Sequence, residues 1–251
     1  ISIVRKELIE TGKWANIGLG FEGAHGLNTG TVARRSSSSW VLNTTGIQGH
    51  SSQIFKEKLG YGAIFEASRI VNTFREELVG EEYLSFNPGT IVGGTDVDYD
   101  PVTARGTTFG KTNVVSQAAT VHGGIRAISS AQLETAMARM KEIATQNLPG
   151  TTAKIEFKIS YPPMAPTKNN YALLDKLESV NIDLGYGKME PLDPGKRGAA
   201  DISFVAPHVD ASLAGMGPDG FGEHSDKEGL DLTSFPKTTS RAAILIYRLT
   251  R

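Results

Sequence analysis

Two connector-like stretches divide the chain and constrain its fold more than any other feature. Arg34 and Arg35 lead into four consecutive serines at 36–39, a pattern typical of a hinge or exposed crossover, or of a serine-rich edge strand. Residues 162–166 include three prolines and form a second, stiff connector. The sequence therefore predicts one domain at 37–161, inserted into an outer domain made of 1–36 and 162–251.

The hydrophobic periodicity between the connectors predicts an α+β domain. Amphipathic patterns indicate helices at 63–78 and 131–146, and alternating or apolar runs indicate strands at 40–45, 85–93, 113–119, 119–128 and 153–161. Residues 96–110 are predicted to form a polar loop. This order is typical of a βαββαβ, ferredoxin-like sandwich.

The outer domain is predicted to be of the α/β class. Patterns indicate helices at 4–11, 170–179 and 240–249, and strands at 15–21, 31–35 and 201–205. Residue 1 is Ile, and residues 1–10 read as a helix already under way. We therefore expect the numbered chain to be the remainder of a longer polypeptide, with no signal peptide at its start.

Composition excludes several classes of function. The 251 residues carry a net charge of −1 without a long basic run, which argues against a nucleic-acid partner. No apolar run approaches the roughly 20 residues of a membrane span. With no cysteine, any metal must bind to histidine and carboxylates. Phosphate-loop, nucleophile-elbow and His-Glu-x-x-His motifs are absent from the sequence.

The glycine-rich stretch at 215–228 is the strongest candidate for chemistry. Its four glycines and one proline within eight residues exclude a regular element and allow backbone N–H groups to approach a ligand. It ends in Glu-His-Ser-Asp, so His224 is a plausible metal ligand, although a mobile loop with a surface histidine is the alternative. Glu22 follows a buried apolar strand, where a carboxylate needs a partner or a cation unless it is exposed.

Four further residues have less specific surroundings. His50 lies in a turn of small residues and could donate to an oxyanion, or belong to a helix cap. Arg126, on an apolar strand, needs a carboxylate from a substrate or from the protein. Asn113 could form a hydrogen bond to a ligand or within a turn, and Asp201 could support a site or cap a helix.

Taken in order, these residues resemble the co-catalytic zinc metallopeptidases of the aminoacylase and glutamate carboxypeptidase family. The resemblance covers nearly the whole chain and is most specific around His224. The matching segments are Phe21-Glu22-Gly23, Gly49-His50-Ser51-Ser52, Asn113-Val114-Val115, Ile125-Arg126, Gly198-Ala199-Ala200-Asp201, and Gly222-Glu223-His224-Ser225 with Glu228.

The resemblance implies a dizinc site in which Glu22 binds one metal and His224 the other. It also implies that Asp201 and Gly220 contact the substrate, with Gly220 among the glycines that shape its seat. The reaction would be hydrolysis of an amide or peptide bond, in a peptide or an N-acyl amino acid, by metal-activated water.

The inserted domain would be the lid and dimerisation domain of a homodimer. The resemblance implies that its Arg126 and Asn113 hold a substrate carboxylate. His50 would stabilise the oxyanion, in this family often across the dimer interface.

One departure from the family is serious. The chain lacks the family's upstream His-x-Asp and Glu-Glu motifs. In the family, these motifs supply the bridging ligand, the general base and another ligand. The pairs Glu76-Glu77 and Glu81-Glu82 cannot replace them, because they fall in the lid. We therefore expect the C-terminal portion of an enzyme, inactive alone and with absent or partial zinc. The alternatives are a non-catalytic dimerisation or ligand-binding module, or a missing part that is present as a cleaved or disordered piece. The compartment, cytoplasmic or periplasmic, stays open.

Overall fold

The computed structural model describes residues 3–251, with side chains from residue 5 onward. Residues 1–2, where the sequence predicts a helix already under way, lie outside the described residues. The elements, in chain order, are α1 (Ile3–Trp14), β1 (Ile17–Leu19), β2 (Thr29–Gly30), β3 (Ser37–Gly46), α2 (Ala63–Leu78), β4 (Ser85–Gly94), β5 (Asp96–Asp100), β6 (Arg105–Phe109), β7 (Ala118–Arg126), α3 (Ser130–Thr145), β8 (Thr151–Tyr161), α4 (Lys168–Asp183), β9 (Glu190–Pro191), α5 (Ile202–Val205), β10 (Ala211–Leu213), β11 (Gly220–Phe221), β12 (Gly229–Leu230) and α6 (Phe235–Leu249).

These elements form two compact units. The inserted unit comprises residues 37–127 and 131–160, and the outer unit comprises the residues up to 36, 128–130 and 161–251. Among the described residues, no helix combines the length and the apolar character needed to cross a membrane.

The inserted unit contains a four-stranded sheet in the order β4-β7-β3-β8. Strand β7 pairs antiparallel with both β3 and β4. The sheet strands and the helices α2 and α3 follow one another as βαββαβ, and the strand order is that of a ferredoxin-like sandwich. Alternation in β3 buries Ser38, Trp40, Leu42 and Thr44, so the inner residues of the sheet pack on the apolar faces of the two helices.

Three local predictions in this unit were wrong. Residues 113–117 do not form a strand and make only an isolated bridge at Val114, because β7 begins at Ala118. The serines at 37–39 begin the inner strand β3, so they are neither a hinge nor an edge strand. Residues 96–110 are not a loop, because β5 and β6 pair antiparallel with Asp96 opposite Phe109. The hairpin has few buried side chains, and its polar composition therefore concealed its strands.

The outer unit has a second core. Strands β1 and β10 are parallel, with Ile17 opposite Ala211, and helices α4 and α6 contribute Leu173, Leu177 and Leu245 to the buried cluster around them. Three elements differ from the sequence predictions. Residues 202–205 form the short helix α5 and not a strand, residues 31–35 make only isolated bridges, and α6 begins five residues before the predicted start.

Candidate functional site

An open cleft of about 640 Å³ lies in the outer unit. Four of the seven predicted site residues line it: Glu22, Asp201, Gly220 and His224. Glu22 follows β1, Asp201 precedes α5, and Gly220 and His224 belong to the hairpin of β11 and β12. Residues about 200 positions apart in the sequence thus line one cavity.

The carboxylate of Glu22 is held by a buried arginine. Arg34 Nη2 donates to Glu22 Oε2 at 2.9 Å, and Arg34 is only 5% exposed. The same guanidinium donates through Nε to the Gly198 carbonyl at 2.7 Å and through Nη2 to the Ala199 carbonyl at 3.2 Å. Arg34 therefore fastens Glu22 to the loop that leads to Asp201.

A second buried arginine stands close to the first. Burial lowers the pKa of Arg34, and the positive charge of Arg197 lowers it further, while Glu22 opposes both effects. Arg197 Nη2 donates to the Gly23 carbonyl at 2.8 Å, and its Nη1 lies 3.9 Å from Glu223 Oε1. The lining of the cleft therefore combines two guanidinium groups with two carboxylates.

His224 occupies the loop of the glycine hairpin in a strained backbone conformation. Its φ of +65° lies in the left-handed region, which is uncommon for a residue other than glycine. The turn is held because the His224 N–H donates to Glu228 Oε2 at 3.0 Å and Ser225 Oγ donates to the Gly222 carbonyl at 2.7 Å. Glu228, part of the motif around His224, thus has a structural role in presenting the imidazole.

Gly217 is required where the hairpin stem approaches Glu22. A Cβ at Gly217 would lie 2.8 Å from the carbonyl oxygens of both Phe21 and Glu22. The Gly217 N–H donates to the Glu22 carbonyl at 2.9 Å. The glycines of 215–228 therefore let the backbone of one wall of the cleft bind directly to the other.

The remaining three predicted residues lie in the inserted unit. His50 and Val114 form an antiparallel bridge, and the Ser51 N–H donates to the Asn113 carbonyl at 2.9 Å, so His50 and Asn113 are neighbours. His50 Nδ1 accepts from the Ser52 N–H at 3.2 Å. Because Nδ1 is engaged, Nε2 is the ring nitrogen able to reach a ligand.

Arg126 lies at the opposite end of β7 from these two residues. It is the last residue of the strand, opposite Ser85 of β4, whereas Asn113 lies before Ala118, the first residue. The strand alone separates its two ends by roughly 26 Å. Arg126 and Asn113 of one chain therefore lie toward opposite ends of this strand.

The described residues do not by themselves complete a metal centre. Glu22 and His224 share the cleft with other carboxylates, a donor set of the type that zinc binds. Within residues 3–251, however, no group of three His, Asp or Glu side chains is placed to hold an ion. Glu22 is moreover already engaged by Arg34. A catalytic zinc normally has three protein ligands.

Arg34 and Arg197 were not predicted as site residues. Arg34 directly follows the short apolar pair Val32-Ala33, where a guanidinium needs a carboxylate partner, so the same reasoning that singled out Arg126 could have found Arg34. No local signal distinguishes Arg197, because its nearest partner Gly23 is far away in the sequence.

Residues 32–152 match a family model described as a peptidase dimerisation domain, M20_dimer. That range contains the whole four-stranded sheet except most of β8, together with helices α2 and α3. The chain carries a peptidase dimerisation domain of the M20 type. No curated protein sequence is significantly similar to the chain.

Several solved structures share the fold of this chain at low sequence identity. Aminopeptidase PepT from Bacillus cereus superposes with a TM-score of 0.74 at 17% identity, over 100% of this chain and 64% of PepT. A tripeptidase from Staphylococcus aureus gives 0.68 at 17% identity, over 96% and 61%. The Bacillus subtilis YxeP protein, described as a dinuclear metal-binding peptidase of the M20 family, gives 0.66 at 16% identity, over 96% and 60%.

Two sequence-based predictions are thereby confirmed. The mixed α/β fold with a dimerisation domain is present, and the chain fits the M20 peptidases and amidohydrolases that it was predicted to resemble. The chain spans less than two thirds of the length of each of these solved relatives.

Proposed function

We propose that this chain is the C-terminal portion of a metal-dependent peptidase or amidohydrolase. The observation that carries the proposal is the meeting of Glu22 and His224 in one cleft, in a chain whose other unit is an M20 dimerisation domain. The parent protein hydrolyses an amide or peptide bond in a peptide or N-acyl amino acid that bears a free carboxylate. Two zinc ions, when bound in the parent, supply the activated water.

Five residues of the outer unit have a proposed part in that reaction. Glu22 and His224 each serve one metal, and Asp201 and Gly220 border the substrate in the same cleft. Arg34 keeps Glu22 oriented by holding one carboxylate oxygen, which leaves Oε1 available. Hydrogen bonds of this kind to a ligand side chain commonly tune metal sites.

The proposal for His50, Asn113 and Arg126 requires two copies of the chain. A substrate held by Arg126 of one copy would meet His50 and Asn113 of the other, since roughly 26 Å of strand separates the two ends within one copy. We propose that the homodimer forms through the inserted unit. An aromatic cluster begins five residues after His50, where Phe55 packs on Tyr61 at 5.2 Å and on Phe65 at 5.6 Å. Phe55 and Phe65 are exposed, which supports a contact at this surface.

Sedimentation velocity tests the dimer. The double variant Phe55→Ser and Phe65→Ser should shift the chain toward monomer. The control Val102→Ser should not, because Val102 is an exposed apolar residue at the tip of the β5–β6 hairpin, away from this cluster in sequence. The proposed interface would be contradicted if the unsubstituted chain is monomeric, or if it is a dimer that the double substitution does not weaken.

Zinc titration and hydrolysis assays test the enzymatic proposal. The purified chain should bind zinc weakly, with affinity lowered by Glu22→Gln or His224→Ala and unchanged by Glu76→Gln on the exposed face of α2. It should not hydrolyse peptides or N-acyl amino acids, and hydrolysis by the metal-loaded chain would overturn the proposal that it is inactive alone. The gene sequence upstream of Ile1 should encode His-x-Asp and Glu-Glu.

A second function is favoured by the Glu22–Arg34 ion pair. A carboxylate already neutralised by a buried guanidinium suits a ligand-binding or dimerisation module without metal chemistry. This alternative gains support if Glu22→Gln and His224→Ala leave zinc binding unchanged. It replaces the first proposal if the upstream gene also lacks both motifs.

A further inference from the structure

A fully buried arginine lies in the core of the outer unit without a carboxylate in contact. Arg241, on α6, has 0% of its surface exposed, and the neighbouring Ala242 and Leu245 belong to the apolar cluster. Within the described part of the chain, no ion pair involves its guanidinium, and Nε and Nη2 have no hydrogen-bond partner. Such burial is costly, so packing alone does not explain an arginine here.

The guanidinium instead holds a backbone turn. Arg241 Nη1 donates to the Leu27 carbonyl at 2.6 Å and to Asn181 Oδ1 at 3.3 Å. The preceding residue, Gly26, has a φ of +87°, and its N–H donates to Asp219 Oδ1 at 2.6 Å. Two consecutive residues of the turn at 25–28 are therefore held, one by a carboxylate and one by a guanidinium.

Asp219 also fastens the glycine hairpin. It directly precedes β11, its N–H donates to Ser234 Oγ at 2.9 Å, and its carbonyl accepts from the Asp231 N–H at 2.9 Å. Ser234 immediately precedes α6, the helix that carries Arg241. The negative charge of Asp219 also acts on Arg241 through space, partly opposing the burial that lowers the arginine pKa.

These contacts border a second chamber of about 570 Å³. His25 and Gly26 form one wall, and Gly220, Phe221 and Gly222 form the other. Arg197 and Glu223 line both this chamber and the cleft of Glu22 and His224, so the two cavities adjoin. The side chain of Asp219 accepts a hydrogen bond from Gly26 in one wall, and its backbone leads directly into Gly220 in the other wall.

We propose that Arg241 and Asp219 form a clamp that sets the separation of the two walls of this chamber, which makes Arg241 a positioning residue of the cleft. The turn at 25–28 cannot move away from the hairpin without breaking a charge-assisted hydrogen bond at Gly26 or Leu27. The proposal rests on the proposed function only in taking the cleft to be the substrate cleft.

Hydrogen exchange measured on the full chain tests the clamp without substrate or metal. In Arg241→Met, amides at 24–28 and 217–222 should exchange roughly 10- to 100-fold faster, as expected when a charged hydrogen bond is lost. The equilibrium constant for global unfolding in urea should be unchanged or lower, because methionine suits the apolar surroundings. Arg248→Met, an exposed position on the same helix, is the matched control and should change neither segment.

Two further variants keep the test decisive if Arg241→Met does not fold. Asp219→Asn should accelerate exchange in the same two segments, and Arg241→Lys should restore part of the protection because it keeps a charged donor. The clamp would be overturned if amide exchange became faster throughout the outer unit in these variants. It would also be overturned if exchange at 24–28 did not change in Asp219→Asn. Because these readouts involve no hydrolysis or zinc, they stand or fall separately from the proposed function.

Discussion

Replacing Glu66 by alanine should destabilise the inserted unit by about 3–5 kcal/mol, the range for breaking one partner out of a buried ion pair. Glu66 lies on α2, and its side chain is 0% exposed. Its Oε1 accepts from Arg69 Nη2 at 2.8 Å and Asn147 Nδ2 at 2.9 Å. Its Oε2 accepts from Arg69 Nε and the Leu148 N–H, both at 3.1 Å. One carboxylate thus joins α2 to the turn after α3.

The magnitude follows from the groups that alanine would leave behind. The Leu148 N–H and the Asn147 amide would each lose an acceptor, at about 1–3 kcal/mol for a buried group. The Arg69 guanidinium would lose its counter-charge but is partly exposed, so water recovers some of that loss. Glu66→Gln keeps the shape but places an amide among donors, and should cost less, about 1.5–3 kcal/mol.

Trp40 fluorescence during urea unfolding is a suitable assay. Trp40 is 1% exposed in the core of the inserted unit, whereas the other tryptophan, Trp14, is 78% exposed and should respond weakly. Glu76→Gln, on the exposed face of α2, should change stability by less than about 0.5 kcal/mol. A loss below about 1 kcal/mol for Glu66→Ala would refute the role assigned to this network.

The Glu66 network also predicts a pH dependence with a definite sign. Burial by itself raises the pKa of Glu66, but hydrogen bonds from Arg69, Asn147 and Leu148 outweigh it, so the pKa lies below the usual 4.5. The carboxyl group is then ionised more readily in the folded state than in the unfolded state. Its contribution is complete above the unfolded pKa and is lost as pH falls through the folded pKa. The difference in unfolding free energy between the unsubstituted chain and Glu66→Gln should therefore shrink as pH falls below about 4.5.

Two smaller predictions concern β7 and its surroundings. A Cβ at Gly123 would lie 2.2 Å from the Trp40 ring, so Gly123→Ala should cost about 1–3 kcal/mol in urea unfolding, whereas the adjacent Gly124→Ala, with 3.8 Å of clearance, should stay within about 1 kcal/mol. Equal effects would exclude a clash with the indole. Tyr99 stacks on His122 at 3.7 Å, and burial lowers the His122 pKa. Tyr99→Ala should raise the pKa of His122 toward 6.5 in an NMR titration. An unchanged pKa would mean that the neighbouring strand, and not Tyr99, buries the imidazole.

The sequence predicted the elements whose pattern reflects burial. Helix α2 has the predicted bounds because Ile70, Phe74 and Leu78 recur on one buried face. Strand β8 was predicted from the same kind of evidence, its alternating apolar residues. The hairpin of β5 and β6 was missed because both strands lie largely in solvent and lack an apolar face. Helix α5 was missed because four residues are too few to show a helical period.

The candidate site was predicted only where a local pattern points to it. Glu22 could be found from the apolar strand before it, and His224 from its glycine loop, and the structure places both in one cleft. Arg241 could not be found in this way. Its partner Leu27 lies 214 residues earlier, and in sequence Arg241 looks like an ordinary helical arginine. Long-range hydrogen bonds of this kind leave no local periodicity.

The geometry of the inserted unit bears directly on how a complete site could be assembled. His50 and Asn113 lie at one end of β7 and Arg126 at the other, and the strand between them belongs to a well-packed sheet. Folding over of the sheet would expose the core, so the roughly 26 Å between the two ends cannot be closed within one chain. We therefore expect a site that uses all three residues to draw them from two chains. A dimerisation domain would supply that arrangement, so a strictly monomeric protein would require different roles for these residues.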